Sequence, residues 1–378
     1  MEAQEHKYEV VANWVKENIS NGRFQRGSKL PSENVLSEQF GLSRQTIRHA
    51  IDILEQENLI TRMKGSGTYI GEGAKSGRSR RYFNIAVIST YTDSYIFPPI
   101  LRGIENVLSK NGYMMQIAFT GNEIFREKQI LQQLLEKDNI DGLIVEATKS
   151  ALPNPNLHFY RELMKRRIPI LFFNSSYQEL GLPRVALDDF SAGRKAVEYL
   201  VKAGHKKIGG LFKCDDGQGP LRYAGFVKGM EEAGLKLKSR NIIWTETEST
   251  IDMENWMDYL MNRLEDCTAL VCYNDEVAYT FLQICQKRGI EIPGQLSVIS
   301  IDNSNLAVLS DVQITSFPHP LEDLGRKTAE NMVKMIDNPY YDGSYLFDSQ
   351  VIERDSVRFL TEQIAPLSTT GGKAVERE

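Results

Sequence analysis

The stretch LPSENVLSEQFGLSRQTIRHAIDILEQENLITRMKGSGTYI, residues 30–70, decides how the N-terminal part of the chain is read. After Leu30-Pro31, Ser32 is placed to cap a helix with Glu33 in its first turn, where negative charge suits the positive helix end; Gly41 after Phe40 stops it. A second helix opens at Ser43, again a good N-cap. Ile47, Ala50, Ile51 and Leu54 then recur at i, i+3, i+4 and i+7, so all four turn toward a core. The opposite face carries Arg44, Gln45 and Arg48, which project together from the N-terminal end. In a major groove Arg pairs bidentately with guanine and Gln with adenine, and a helix–turn–helix offers bases the first residues of its second helix. Ser43 and Thr46 suit phosphates. Residues 59–70 read as strand, glycine turn and strand, a small wing in which Arg62 and Lys64 flank Gly65 and Gly67. Upstream, Val11, Val15 and Ile19 repeat every four residues, a helix from about Tyr8 to Asn21 that Gly22 ends. For an isolated charge cluster a solvated helical face is the better reading. Here the short helix, glycine turn, serine cap and polar tip occur together, and a winged helix–turn–helix is the better reading.

The whole chain, 378 residues with net charge −5, argues against nucleic acid until it is divided. Residues 1–82 hold 13 Lys and Arg against 10 Asp and Glu, a net of +3, and the remainder holds 32 against 40, a net of −8. A mildly basic head therefore precedes an acidic body. The junction GEGAKSGRSRRY (71–82) reads as a flexible linker. Its Lys75, Arg78, Arg80 and Arg81 suit either a path near phosphates or bulk solvent. The Gly-containing polar tail, 366–378, is expected to be disordered. At 41% hydrophobic and 25% charged the composition is that of a soluble globular protein. No run approaches the ~18 apolar residues of a membrane helix, so no membrane partner is expected. Charges throughout the first twenty residues leave no apolar signal-peptide core. Cys214, Cys267, Cys272 and Cys285 form no CxxC and the five histidines no HExxH, so neither metal nor disulfide scaffold is expected and a cytoplasmic location fits.

From Phe83 the pattern changes. Apolar runs at 85–88, 142–145, 170–173, 208–212, 269–272 and 297–301 alternate with helical segments at 99–111, 124–137, 192–203, 220–233, 277–288 and 321–336. Alternation of this kind predicts an α/β body of parallel sheets covered by helices, in two lobes over residues 83–365. Such sheets bind ligands at the carboxyl ends of their strands, and the cleft between two lobes is a natural small-molecule site. The residues following the strands are Glu146, Asn174, Asp188, Asp189, Lys213, Asp215, Asp216, Asn274, Asp275, Asp302 and Asn303, with Arg222 opening a helix after Gly217-Gln218-Gly219. Together with Tyr91, Tyr95, Phe97 and Tyr273 they suit a polyhydroxylated ligand, because carboxylates accept from hydroxyls, Arg donates in a fork and rings pack on sugar C–H faces. Some cap helices instead; Asp189 and Asn274 sit at N-cap-like positions. No GxxxxGK[ST], helix-opening GxGxxG or GxSxG occurs. Paired carboxylates such as Asp188/Asp189 offer acid–base chemistry, but a DNA-reading head has no purpose in an enzyme. A regulator without catalytic residue or cofactor is expected.

The combination LPSE…FG…SRxTxRxA…GxGT resembles the DNA-binding domain of GntR-family bacterial repressors. The resemblance implies that Arg44 and Arg48 contact operator bases, Gln45 and Thr46 base or phosphate, and the wing tip Gly65, Ser66, Gly67 and Thr68 the minor groove. Lys29, Ser32 and Lys64 would support the backbone. GHKKIG, RYAGF and YNDEVA, within about 83–360, are similar to the sugar-binding domain of LacI/GalR-type repressors, related to periplasmic binding proteins. That resemblance puts Arg222 and Asp275 on sugar hydroxyls. A GntR-type head on a LacI-type body is itself similar to the arabinose repressors of Gram-positive bacteria. It implies a homodimer on double-stranded operator DNA, released by a small sugar, with L-arabinose preferred and another pentose, a hexose or a nucleobase as alternatives.

Overall fold

The computed structural model describes residues 7–20, 23–24, 27–57, 59–63, 66–70, 81–92 and 95–360. The linker reading (71–80), the tail reading (366–378), Lys64, Gly65 and the helix stop at Gly22 lie outside the described residues.

In the head, helices α1 (Lys7–Ser20), α2 (Glu33–Phe40) and α3 (Arg44–Gln56) precede strands β1 (Ile60–Met63) and β2 (Gly67–Ile70). Both caps form as the sequence predicts. Ser32 Oγ accepts from Val35 N at 3.4 Å and Ser43 Oγ from Thr46 N at 3.2 Å, while Gly41 closes α2 in the left-handed region at φ 63°. Ile47, Ala50, Ile51 and Leu54 are buried with Val11, Val15 and Leu36. Trp14 meets Phe24 and Phe40 edge-on, with centroids 5.4 and 5.2 Å apart. The strands β1 and β2 pair antiparallel, and Leu30 N donates to Thr68 O at 2.8 Å, which lays residues 28–30 along the wing.

The body begins with β3 (Asn84–Ser89), α4 (Phe97–Lys110), β4 (Met114–Phe119), α5 (Ile124–Lys137), β5 (Gly142–Val145), α6 (Leu157–Lys165), β6 (Ile170–Phe173) and β7 (Arg184–Leu187). It continues with α7 (Asp189–Lys202), β8 (Ile208–Lys213), α8 (Gln218–Glu232), β9 (Ile242–Thr245), α9 (Thr247–Ile251), α10 (Met253–Leu264), β10 (Ala269–Cys272), α11 (Asp275–Lys287), β11 (Ser297–Asp302), α12 (Leu306–Leu309) and β12 (Thr315–Pro318). Helix α13 (Leu321–Asp337) and strand β13 (Tyr345–Phe347) follow. Two compact units result: the first holds residues up to Ala186 together with Leu321–Phe347, the second Leu187–Pro320 and the chain from Asp348.

The first unit's sheet has the order β13-β7-β6-β5-β3-β4, with the pairs among β3 to β7 parallel. The second unit's sheet, β12-β11-β10-β8-β9, is parallel throughout. The central strands are buried on both faces, as their unbroken apolar runs predict. Each unit also joins two helices through a pair of glycines. A Cβ on Gly193 of α7 would lie 2.1 Å from the Arg222 carbonyl oxygen, and one on Gly225 of α8 1.9 Å from that of Phe190. Gly103 of α4 and Gly325 of α13 repeat this in the first unit, at 2.3 and 2.0 Å. Close approach of α7 and α8 sets the depth at which Arg222 sits. Among the described residues no helix is long and apolar enough to cross a membrane.

Candidate functional site

The start of α3 carries the residues expected to read DNA. Arg44 and Gln45 are exposed, and Arg44 makes no ion pair among the described residues. Ser43 Oγ and Thr46 Oγ1 lie 2.9 Å apart in the cap, so both hydroxyls are oriented at the helix N-terminus. Arg48 is engaged rather than free: its Nη2 stands 3.0 Å from Glu33 Oε2, tying α3 to α2. Arg62 of the wing pairs with Asp52 and Glu55 of α3 at 2.6 and 3.1 Å, fixing the wing against that helix. Gly67 has φ 123°, and a Cβ there would meet Lys29 Cε at 2.5 Å. This close approach sets the Lys29 ammonium beside the wing, 5.8 Å from the Tyr69 ring centre, while Ser66 Oγ shares a 2.7 Å hydrogen bond with Tyr69 OH. Ser32 is spent on the α2 cap. The structure therefore brings Lys29, Ser43, Arg44, Gln45, Thr46, Arg48, Ser66 and Gly67 to the same small head.

In the first unit Glu146, at the end of β5, accepts from Thr90 N at 3.1 Å, Thr90 Oγ1 at 2.6 Å and Asn174 Nδ2 at 3.0 Å. Asn174 follows β6 with φ 58°, and its buried Oδ1 has no protein partner among the described residues. A left-handed backbone and a spare buried acceptor keep Asn174 a candidate for ligand contact. Tyr91 and Tyr95 are half-buried; Phe97 is buried on α4 and meets Tyr91 edge-on at 5.9 Å.

The second unit centres on Arg222, which is fully buried. Nε donates to Asp189 Oδ1 at 2.9 Å and Nη1 to the Tyr273 carbonyl at 2.6 Å, while Nη2 stands 3.6 Å from Asp302 Oδ1. The guanidinium carbon lies 4.6 Å from the Tyr273 ring centre. Burial opposes its charge, but Asp189, Tyr273 and Asp302 outweigh that and raise its pKa above the ordinary value. Tyr273 OH donates to Asp216 at 2.6 Å, and burial pushes its pKa well up. The Lys213 ammonium lies 5.4 Å from the same ring, and Asp215 accepts from Thr247 Oγ1 at 2.7 Å. Asp302 has φ 119°, a conformation that L side chains rarely adopt, and Asn303 follows at φ 49°.

One sequence expectation changes here. Asp188, not Asp189, caps α7, accepting from Ser191 N at 2.9 Å; one position later Asp189 is left to hold Arg222. Asn274 caps α11 through Val277 N, as the capping reading expects. Asp275 is expected on a sugar hydroxyl, yet both of its oxygens are filled by protein. One accepts from Ser300 Oγ and from Ser316 Oγ at 2.7 Å, the other from Ser304 N at 2.6 Å and Ser304 Oγ at 2.9 Å. Four donors occupy a carboxylate's four lone-pair sites, so Asp275 positions the ends of β11 and β12 and the Asp302–Ser304 turn. Burial raises its pKa, and the four hydrogen bonds work against that rise.

The sequence reading missed His319, one residue beyond β12, and also the three serines around Asp275 and the Glu33–Arg48 pair. Serines within β11, in the turn after it and within β12 were the available signal for the Asp275 cluster. Among the described residues no group of His, Cys, Asp and Glu is placed to hold a metal.

Comparison with known proteins matches residues 7–70 to the bacterial regulatory proteins of the gntR family and residues 197–357 to a periplasmic binding protein-like domain. The arabinose metabolism transcriptional repressor of Halalkalibacterium halodurans is 37% identical over 90% of this chain and 92% of its own length. The chain belongs to this repressor family. The repressor of the same description from Geobacillus stearothermophilus is 32% identical, over 93% of this chain and 98% of its own. Among solved structures, the transcription regulator CcpA of Lactococcus lactis shares the fold, with TM-score 0.66 and 22% identity over 73% of this chain and 99% of its own. A member of the arabinose-repressor family is a transcriptional repressor of sugar-metabolism genes rather than an enzyme. Its parts are a DNA-binding GntR-type head and a LacI-like body, and the relatives agree with the sequence reading on both.

Proposed function

We propose that this repressor binds double-stranded operator DNA through its head as a homodimer and is released by a small neutral sugar, L-arabinose. Tyr91, Tyr95, Phe97, Glu146 and Asn174 in the first unit, and Lys213, Asp215, Arg222, Tyr273 and Asp302 in the second, are the candidate effector contacts. The observation that carries the effector reading is the compensated Arg222. Its charge is already met by Asp189 and Asp302, and Lys213 is followed in the chain by Asp215 and Asp216. The cluster has no surplus positive charge for a phosphate, whereas its carboxylates and guanidinium can still exchange hydrogen bonds with hydroxyls. L-arabinose is the preferred sugar because both close relatives are named for arabinose metabolism.

Coupling follows from linkage. If sugar prefers the state that does not bind operator, operator weakens sugar by the same factor, ~5–150-fold in ordinary cases. A thermal-shift panel of L-arabinose, D-xylose, D-ribose, D-galactose and cytidine tests the effector directly, since a ligand of the native state raises its melting temperature. A shift with L-arabinose alone, or largest with it, is expected. A shift with another compound and none with L-arabinose overturns the sugar assignment.

A further inference from the structure

At the amino ends of its strands, the edge opposite the one that carries Glu146 and Asn174, the first unit holds a cavity of about 360 Å3. Its walls are apolar: Ile168 and Ile170 at the start of β6 and Met335 and Ile336 near the end of α13, all less than a tenth exposed, with Met164, 39% exposed, at the rim. Small-molecule sites have this size and this kind of lining, with a few placed polar groups. Most of the charges that line the cavity are already answered. The Asp141 carboxylate accepts from Tyr82 N at 3.0 Å and Asn84 N at 3.3 Å, Glu57 pairs with Lys16 at 2.8 Å, and Arg81 pairs with Asp337 at 2.6 Å. Arg167 is the exception: its guanidinium has neither ion pair nor hydrogen bond among the described residues. Its backbone, two residues past α6, is held at φ 57° with N–H donating to the Met164 carbonyl at 2.8 Å. Tyr340 also lines the cavity; burial and Glu57 raise its pKa and Arg167 opposes them, so the phenol keeps its proton and can donate. The buried Tyr113 hydroxyl, close enough to Arg81 and Asp141 for their charges to act on it, has no partner among the described residues. Buried polar atoms are nearly always paired.

We propose that this cavity is a second small-molecule site, separate from the sugar positions, for an amphipathic monoanion whose carboxylate meets Arg167 and Tyr340 and whose apolar body lies between β6 and α13. The charge follows from the accounting above. With Arg81, Asp141 and Glu57 each engaged, Arg167 is the one lining charge left to answer, and a carboxylate answers it in a fork. A cation finds no open acid. A phosphate brings a second negative charge with no second free cation to meet it. The body follows from the walls: a sugar would set its hydroxyls against Ile168, Ile170, Met335 and Ile336 and leave them unpaired, whereas a hydrocarbon chain gains by leaving water. The site also borders the Arg81–Asp337 pair, which ties the chain to α13 just past the linker. An occupant therefore adjoins the connection from the head, and nothing in its recognition depends on which sugar binds at the opposite edge.

The test uses octanoate, 1-octanol and octylammonium as probes on the full chain, in wild type, Arg167→Asn and Met164→Trp. Calorimetric titration measures affinity, hydrogen–deuterium exchange locates the probe, and melting temperature without probe checks the fold. Asparagine suits the left-handed position at a helix end and removes the charge. Octanoate should bind wild type, 1-octanol about tenfold more weakly, the worth of one charge-assisted hydrogen bond, and octylammonium more weakly still. Arg167→Asn should melt as wild type does, lose about tenfold in octanoate affinity and no longer separate octanoate from 1-octanol. Met164→Trp narrows the rim and should weaken both probes alike. Octanoate should slow exchange in residues 164–170 and 335–340. No octanoate binding to wild type at millimolar concentration overturns the proposal. So does equal octanoate affinity in wild type and Arg167→Asn, or a wild-type preference for 1-octanol or octylammonium, since either removes the carboxylate from Arg167. Slowed exchange confined to other segments places the probe outside the cavity and overturns the site. If Arg167→Asn melts below wild type, Met164→Trp decides, and unchanged octanoate affinity in it overturns the proposal.

Discussion

Replacing Asp275 by alanine and by asparagine separates a pin of the strand ends from a sugar ligand. Alanine strips the acceptor from the Ser304 N–H and from the hydroxyls of Ser300, Ser304 and Ser316. Hydroxyls can turn elsewhere; Ser300 and Ser316 already lie 3.2 Å apart. The Ser304 N–H cannot turn, and an orphaned buried donor costs about 1–3 kcal/mol. With the emptied volume added, Asp275→Ala should lose about 3–4 kcal/mol of stability. Asparagine keeps an oxygen for the Ser304 N–H and offers its NH2 to Ser300 and Ser316, whose hydroxyls accept as well as donate. It gives up charge assistance but also the cost of burying charge, the cost that raises the Asp275 pKa. Its loss should be about 1 kcal/mol or less. Urea unfolding of the full chain at pH 7.5 measures both, and L-arabinose titration accompanies it. Equal destabilisation by the two variants, or none by alanine, would refute the pin. An Asp275→Asn chain of unchanged stability that binds sugar about tenfold more weakly would put the carboxylate on the sugar instead.

Further expectations concern packing, pH and DNA. Gly193→Ala places a Cβ 2.1 Å from the Arg222 carbonyl, so it should cost about 1–3 kcal/mol or more and weaken sugar binding by shifting α8; unchanged melting and affinity would show that the helices yield freely. His319, neutral in the fold with a pKa of about 3 against 6.5 unfolded, binds its proton only in the unfolded chain between those values. Stability is therefore lost as pH falls below 6.5, by about 2 kcal/mol at pH 5. The difference between wild type and His319→Gln isolates this from Asp275, whose raised pKa acts in the opposite sense; equal pH slopes in the two chains would contradict it. Arg44→Ala should cost about 1–3 kcal/mol of operator binding and relax preference at one base pair, whereas Lys29→Ala should lower the salt slope by about one. A salt series on an operator duplex distinguishes them, and an unchanged base preference in Arg44→Ala would misplace the reading helix.

Much of the fold was legible because its signals are local. The caps at Ser32 and Ser43, the Ile47–Leu54 stripe and the apolar runs of the inner strands each follow from a few neighbouring residues. Strands β4, β9 and β12 lie at sheet edges and were absent from the six runs. MMQIAF is only partly covered, IIWT leaves Trp244 exposed, and TSFP ends in proline. The effector residues were legible as a class, polar groups after strands, because parallel sheets present them there. Their division of labour was not. Asp275 and Asp302 read alike in sequence, and only the structure shows Ser300, Ser304 and Ser316, 25 to 41 residues away, converging on the first. Arg48 likewise looks free until Glu33, 15 residues upstream, is seen to hold it. His319 carries no pattern at all; only the structure shows both of its ring nitrogens buried without a partner among the described residues.

The central claim is that one chain links sugar binding to operator binding. A duplex enriched from random-sequence DNA by the full-length repressor, titrated at one fixed salt concentration with and without saturating L-arabinose, tests it most directly. The account predicts operator affinity weakened ~5–150-fold by the sugar. Identical affinity in the two titrations, with L-arabinose shown to be bound, would contradict it.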